Sequence, residues 1–145
     1  MIFSRTIEKD ILHHLDKIAV TAIIGARQVG KSTLSKKILA NYPNSIYLDL
    51  ELEKNQRILT APYLFFEQNK DKLICLDEIQ FLPDVFKEMR GFIDEHPKTK
   101  FLVLGSSSPE LLRQSSETLA GRIFYYELTP FLFTEIKEKV DLQQY

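Results

Sequence analysis

The amino-terminal part of the chain changes from a helical to a strand-like hydrophobic pattern. Over residues 5–17, Ile7, Ile11 and Leu15 recur at helical spacing while charged residues take the other faces, which predicts an amphipathic helix. The next segment, Ile18–Ile24, is a run of apolar and partly β-branched residues without clean alternation. Such runs are typical of a parallel strand that is covered on both faces. We therefore expect a helix followed at once by a buried strand.

The rest of the chain repeats this change of pattern. Four more candidate strands follow, at Ser45–Leu50, Lys72–Leu76, Lys100–Gly105 and Ile123–Leu128. Segments of helical character lie between them, over 31–41, parts of 51–69, 84–96 and 109–120. Strands that alternate with helices form a parallel sheet with helices on both faces. The predicted fold class is therefore α/β, with a five-stranded parallel sheet between two helical layers.

The end of the chain predicts a new helix and not a further strand. Thr129 is a suitable N-cap and Pro130 suits the first helical position, so a helix should run over 131–140. We expect one domain over 1–128. Residues 129–145 would then begin a truncated helical lid or carboxyl-terminal region, as in a domain cut from a larger protein or a native chain without its second half.

Composition limits the classes of protein that fit. The chain has 145 residues, 44% hydrophobic and 27% charged, which is ordinary for one soluble globular domain. Its net charge of -1 gives no support for a strongly basic nucleic-acid surface. The single Cys75 excludes a disulfide within the chain, and its apolar surroundings predict an inert buried thiol. No apolar run approaches the roughly 18 residues that span a bilayer. We expect a cytoplasmic domain with no membrane partner.

A phosphate-binding motif follows the first predicted strand. Gly25-Ala-Arg-Gln-Val-Gly30-Lys31-Ser32 fits G-x-x-x-x-G-K-[ST], in which the glycines let successive backbone N–H groups surround a phosphate. Lys31 would place its ammonium against the β- and γ-phosphate oxygens, and Ser32 would offer a hydroxyl to Mg²⁺. The nucleotide-binding residues that we predict are Gly25, Ala26, Arg27, Gln28, Val29, Gly30, Lys31, Ser32 and Thr33.

Two carboxylates follow the third predicted strand. Asp77 and Glu78 come directly after the apolar residues 73–76, at the carboxyl end of the strand, where open α/β sheets bind ligands. Asp77 is placed to hold Mg²⁺ through its water shell. Glu78 is our candidate catalytic carboxylate, and an acid at this position favours water as the nucleophile, hence hydrolysis. The alternative is that the pair only caps a helix or is solvated.

Two further segments offer polar groups to the same chemistry. The fourth strand ends in Gly105 and three serines, 106–108; one hydroxyl would sense a γ-phosphate, or the serines would cap the helix that opens at Pro109. Arg122 lies just before the fifth strand. It would contact a γ-phosphate as an arginine finger, in its own site or a neighbour's, or it would be a structural ion-pair partner.

The motifs together resemble a known family. GARQVGKSTL at 25–34, LDEIQFLPD at 76–84, LGSSSPELL at 104–112, LAGR at 119–122 and YELTPFLFTEI at 126–136 are similar to AAA+-type predicted ATPases of bacteria and archaea. That family has an amino-terminal nucleotide domain and an uncharacterised carboxyl-terminal domain, which this length does not contain. The resemblance implies strand order 5-1-4-3-2, Asp77 and Glu78 as Walker B, and Gln80 near the nucleotide. It also implies Ser106 or Ser107 as the sensor, and we assign Ser107.

These features predict an ATP-hydrolysing switch or motor with ATP and Mg²⁺ as cofactors. Its partner would be an unknown protein or DNA reached through the absent carboxyl-terminal region, and a homo-oligomer is left open. The alternative is a nucleotide-gated binding module with negligible turnover. The absence of an N-K-x-D motif favours adenine over guanine, and the absence of L-S-G-G-Q disfavours an ABC transporter ATPase. No acceptor site or closing arginine cluster suggests a small-molecule kinase.

Overall fold

Residues 5–26 and 30–128 are described by the computed structural model, and their elements follow the predicted order. The helices are α1 (Arg5–Lys17), α2 (Lys31–Leu39), α3 (Glu53–Ile58), α4 (Pro62–Gln68), α5 (Val85–Glu95) and α6 (Pro109–Thr118). The strands are β1 (Val20–Gly25), β2 (Ser45–Asp49), β3 (Leu73–Asp77), β4 (Lys100–Gly105) and β5 (Ile123–Leu128). A short 3-10 helix, Ile79–Phe81, follows β3. The helix predicted over 131–140 lies outside the described residues.

The five strands form one parallel sheet in the order β2-β3-β4-β1-β5. This order confirms the α/β prediction and the order 5-1-4-3-2 that the resemblance implied. Because β4 lies between β1 and β3, the segment after β4 lies between the segments after the other two strands. Gly105 pairs with Ile24 near the end of β1, and Asp49 pairs with Asp77 at the end of β3. The functional candidates that follow β1, β3 and β4 therefore share the carboxyl edge of the sheet.

The sheet separates two hydrophobic cores. Successive side chains of a strand point to opposite faces, so Phe101 and Val103 of β4 join one core while Leu102 and Leu104 join the other. Helices α4, α5 and α6 cover the first core, and helices α1 and α2 cover the second; the buried residues that they contribute include Phe66, Phe86, Met89, Phe92, Leu111, Ile11, Leu15, Leu34 and Ile38. Burial on both faces explains why the strand sequences are apolar without alternation.

Cys75 is fully buried in the second core, as its apolar neighbours predicted. Burial raises the pKa of its thiol well above the ordinary value, and the nearby Asp77 carboxylate adds to this effect. The thiolate, which is the reactive form, is therefore disfavoured. Among the described residues, no helix has the length and apolar character that crossing a bilayer would require.

Candidate functional site

The phosphate-loop motif joins the end of β1 to the start of α2. Gly25 is the last residue of β1, and Gly30 immediately precedes α2, while Arg27, Gln28 and Val29 lie outside the described residues. Gly30 has φ 92° and ψ 21°, a left-handed conformation that residues with a Cβ adopt only at a cost. The glycine thus adopts the conformation that precedes α2 without that cost. The N-terminal N–H groups of α2 and the positive end of its dipole are then turned towards the carboxyl edge of the sheet.

Lys31, the first residue of α2, turns its side chain back into the loop. It is only 4% exposed, although it carries a charge. Its Nζ donates hydrogen bonds to the carbonyl oxygens of Gly25 at 2.9 Å and Ala26 at 2.8 Å. These bonds compensate part of the cost of burying the ammonium. Thr33, which we also predicted to contact the nucleotide, is exposed in the first turn of the same helix.

Ser32 and Asp77, the two predicted metal ligands, are in direct contact. Ser32 Oγ donates a hydrogen bond to Asp77 Oδ2 at 2.9 Å, and the backbone N–H of Glu78 donates to Asp77 Oδ1 at 2.8 Å. The hydroxyl of Tyr47 also donates to Oδ2. Burial of Tyr47 and its hydrogen bond to Asp77 raise the pKa of the phenol, which therefore stays a proton donor. These three donors hold a carboxylate that is only 2% exposed.

Glu78 follows with an uncommon backbone conformation. Its φ of 55° and ψ of 51° lie in the left-handed region, and it is the only residue other than glycine with positive φ among those described. This conformation costs a residue with a Cβ about 1–2 kcal/mol. The 3-10 helix starts directly after it, with the N–H of Phe81 bonded to the carbonyl of Glu78 at 3.1 Å. Gln80 Nε2 donates to the Glu78 carboxylate at 2.7 Å.

The groups of the carboxyl edge line one cavity of about 240 Å³. Its walls are Gly25, Ala26, Lys31, Glu78, Gln80, Ser106, Ser107 and Ser108. Ser108 Oγ accepts from the N–H of Leu111 at 3.2 Å and so caps α6, which is the capping alternative that we left open for these serines. Ser107 faces the same cavity as Lys31 and Glu78. The structure therefore brings together the candidates from β1, β3 and β4.

Arg122 lies at the amino edge of the sheet, opposite the carboxyl edge that carries the phosphate loop. Its carbonyl accepts from the N–H of Val20, the first residue of β1, so about 16 Å of strand separates it from the phosphate loop. Its guanidinium pairs with Asp94 through Nε at 2.9 Å and Nη2 at 3.1 Å, and Nη1 donates to the carbonyl of Ala120. The predicted role at the γ-phosphate of its own site is therefore wrong, and Arg122 is an ion-pair partner in this chain. A role in a neighbouring copy's site stays a prediction.

The family described as an AAA domain matches residues 17–137, from the last residue of α1 to beyond β5. This match covers every strand and every described wall of the cavity. The chain belongs to the AAA domain family. The phosphate loop, the strand order and the paired acids at the end of β3 are thus parts of an AAA-type P-loop ATPase domain.

Known relatives and solved structures agree with this assignment. Uncharacterised proteins of Mycobacterium bovis and Mycobacterium tuberculosis are each 36% identical to this AAA domain over 116 residues, 79% of this chain but only 26% of theirs. The Walker-type ATPase of Pyrococcus abyssi superposes with a TM-score of 0.60 at 20% identity, over 97% of this chain and 59% of that one. A DnaC helicase loader superposes with a TM-score of 0.58 at 10% identity, over 85% of this chain and 86% of that one. At these identities the two structures show a shared fold.

Tyr47 is a polar contact of the site that the sequence analysis missed. It pairs with Cys75 in the sheet, two residues before Asp77, so Tyr47 and Asp77 lie on the same face. The proximity of Tyr47 to Asp77 follows only from the pairing of β2 with β3. A tyrosine between the apolar residues Ile46 and Leu48 was the one available signal.

Proposed function

We propose that this AAA domain binds ATP with Mg²⁺ and hydrolyses the bond between the β- and γ-phosphates. We further propose that it acts as a switch or motor on a protein or DNA partner. The observation that carries the proposal is one cavity lined by both Lys31 and Glu78, directly beside the hydrogen bond between Ser32 and Asp77. It combines a buried cation, a carboxylate and a hydroxyl–carboxylate pair, which are the groups that nucleotide hydrolysis needs.

The residues of this edge fit a magnesium nucleotide. Asp77 Oδ2 and Ser32 Oγ lie 2.9 Å apart, and oxygens of these two kinds hold Mg²⁺ directly or through its water shell. Lys31 Nζ is held by two neutral carbonyl oxygens. Phosphate oxygens, which are charged and therefore stronger acceptors, would take their place. The N-terminus of α2 adds backbone N–H donors.

The roles of the residues follow from these positions. Lys31 neutralises charge on the β- and γ-phosphate oxygens, and Mg²⁺ when bound supplies further charge neutralisation. Glu78 accepts a proton from the water whose oxygen forms a bond to the γ-phosphorus. The bond from that phosphorus to the bridging oxygen breaks, which releases ADP and inorganic phosphate. Ser107 is our candidate for a hydrogen bond to the γ-phosphate from the opposite wall of the cavity.

The proposed partner is a protein or DNA molecule. The chain spans about a quarter of the length of the curated mycobacterial relatives that it matches, so the action of such a longer protein is proposed and not read from this domain. A protein or DNA partner is the kind that a switch or motor acts on. The absence of an N-K-x-D motif supports ATP over GTP as the nucleotide.

Phosphate release and ATP affinity, measured together in the full-length protein, test the proposal. Glu78→Gln keeps the size of the side chain but removes its basicity, so kcat should fall about 10²–10⁴-fold while ATP stays bound. Lys31→Ala should instead lose most of the ATP affinity in a protein that remains folded. Asp77→Asn should weaken Mg²⁺-dependent binding as well as turnover. Glu67→Gln, an exposed glutamate of α4, is the matched control.

The outcomes separate the two functions considered from the sequence. A Glu78→Gln variant that hydrolyses ATP at the parent rate would show that Glu78 has no catalytic role. Unchanged ATP binding in folded Lys31→Ala would remove the assignment of the site itself. Tight, Mg²⁺-dependent ATP binding without phosphate release in the parent would favour the nucleotide-gated module over the ATPase.

A further inference from the structure

Gln80 connects the candidate catalytic carboxylate to the segment after β4. Its Nε2 donates to Glu78 Oε1 at 2.7 Å, and its Oε1 accepts from the backbone N–H of Ser106 at 3.2 Å. The carboxylate can only accept and the backbone N–H can only donate, so this orientation of the amide is the one that satisfies both partners. Gln80 is thus a two-ended bridge over 26 residues of chain.

The space for this bridge depends on the residue before Ser106. A Cβ at Gly105 would come within 3.1 Å of Gln80 Oε1, within 2.8 Å of Ile79 Cγ2 and within 3.0 Å of Leu111 Cδ2. The absence of a side chain at Gly105 lets the Gln80 amide reach the backbone beyond it. The bridge also lies in the cavity wall, together with Glu78 and Ser106.

We propose that Gln80 is a positioning residue for hydrolysis, which orients Glu78 and couples it to the serine segment 106–108. This inference rests on the proposed function, because it assigns a role in the same reaction. Gln80 holds one oxygen of the Glu78 carboxylate with a neutral donor, which restrains the side chain without neutralising its charge. A ligand that accepts the N–H of Ser106 takes the place of Gln80 Oε1. The Gln80 side chain then moves, and the Glu78 carboxylate that it holds moves with it.

The backbone of Glu78 makes such a restraint useful. A glutamate side chain has several rotatable bonds, and ordering it has an entropic cost. The left-handed conformation fixes where the side chain starts, and the Gln80 bridge fixes where it ends. A displacement of about 1 Å at a reacting group can change a rate about 10²-fold. A group that acts by orientation should therefore affect kcat and leave ground-state affinity unchanged.

Two substitutions at Gln80 test the bridge in the full-length protein. Gln80→Met keeps the length of the side chain and removes both hydrogen bonds. Gln80→Asn keeps the amide but is one methylene shorter, so it reaches only one partner. We expect each to lower kcat about tenfold or more, with the dissociation constant for ATP within about twofold of the parent. Gln68→Met, at an exposed position of α4, is the matched control and should behave as the parent.

Each outcome decides the proposal. A loss of kcat at unchanged ATP affinity in Gln80→Asn, with the unfolding temperature kept, supports it even if Gln80→Met does not fold. A kcat of Gln80→Asn equal to the parent's overturns the two-ended bridge. A loss of ATP affinity as large as the loss of kcat also overturns it. A parent that releases no phosphate overturns the proposed hydrolysis and this inference with it. An active parent with unaffected Gln80 variants overturns this inference alone.

Discussion

The same substitution at two glycines should change stability in opposite directions. Gly105, at the end of β4, lies against Ile79, Leu111 and Gln80, whereas a Cβ on Gly91, inside α5, would meet nothing within 4 Å. Alanine at Gly105 therefore has to displace atoms of the packed interior. Alanine at Gly91 only removes the entropic cost of a glycine within a helix. We expect Gly105→Ala to destabilise the protein and Gly91→Ala to stabilise it.

The magnitudes follow from the contacts. At Gly105 the closest atom is Ile79 Cγ2 at 2.8 Å, which is attached directly to the Cβ of a β-branched and buried residue and has little freedom to rotate away. Leu111 Cδ2 at 3.0 Å belongs to a second buried side chain. Overpacking of this kind costs about 1–3 kcal/mol. At Gly91 the gain should be about 0.5–1 kcal/mol.

Urea unfolding followed by circular dichroism measures both values. With a typical m-value, a loss of about 2 kcal/mol lowers the midpoint by about 1 M. Gly105→Ala should also lower the rate of ATP hydrolysis, because the new methyl group crowds Gln80 Oε1. A Gly105→Ala protein as stable as the parent would show that the packing around Ile79 can accommodate an added methyl group. A destabilised Gly91→Ala protein would refute the helical placement of Gly91.

Two further predictions concern single contacts. Tyr47→Phe removes one hydrogen bond to Asp77 and keeps the ring, so the Mg²⁺ concentration needed for half-maximal ATP binding should rise about tenfold; partners behind a metal ligand typically have such effects. An unchanged Mg²⁺ titration would contradict this. Arg122→Gln should raise the pKa of Asp94 towards its usual value, because the hydrogen bond from Arg122 is the main cause of its lowering. In the parent, the stabilising pair is present at neutral pH and is lost as pH falls through that lowered pKa, and an NMR titration of Asp94 that is the same in both proteins would contradict the assignment.

The sequence was sufficient to place the main groups of the site because it marks where strands end. Lys31 follows β1 after the phosphate loop, and Asp77 and Glu78 lie at or just after the end of β3. In a parallel sheet all these ends share one edge, so their location on that edge could be predicted before any strand order was known. The hydrogen bond between Ser32 and Asp77 is the observed result of that rule.

The same rule explains the incorrect expectation for Arg122. Arg122 directly precedes β5, so in a parallel sheet it belongs to the amino edge, opposite the phosphate loop. The LAGR motif suggested a finger, but the polarity of the strand excludes the residue's own site. The partners of Tyr47 and Gln80 were less accessible from sequence. Their contacts join segments about 30 residues apart through the sheet order, which hydrophobic patterns do not specify.

The conformation of Glu78 connects the fold to the proposed chemistry. A left-handed backbone at a glutamate costs about 1–2 kcal/mol, which glycine at the same position would avoid. Gly30, which precedes α2, has the same kind of conformation without this cost. The strain at Glu78 is offset by hydrogen bonds on both sides, from its own N–H to Asp77 and from Gln80 to its carboxylate. Because the fold needs only the turn, the presence of a carboxylate at a position that favours glycine is best explained by the reaction that we propose for it.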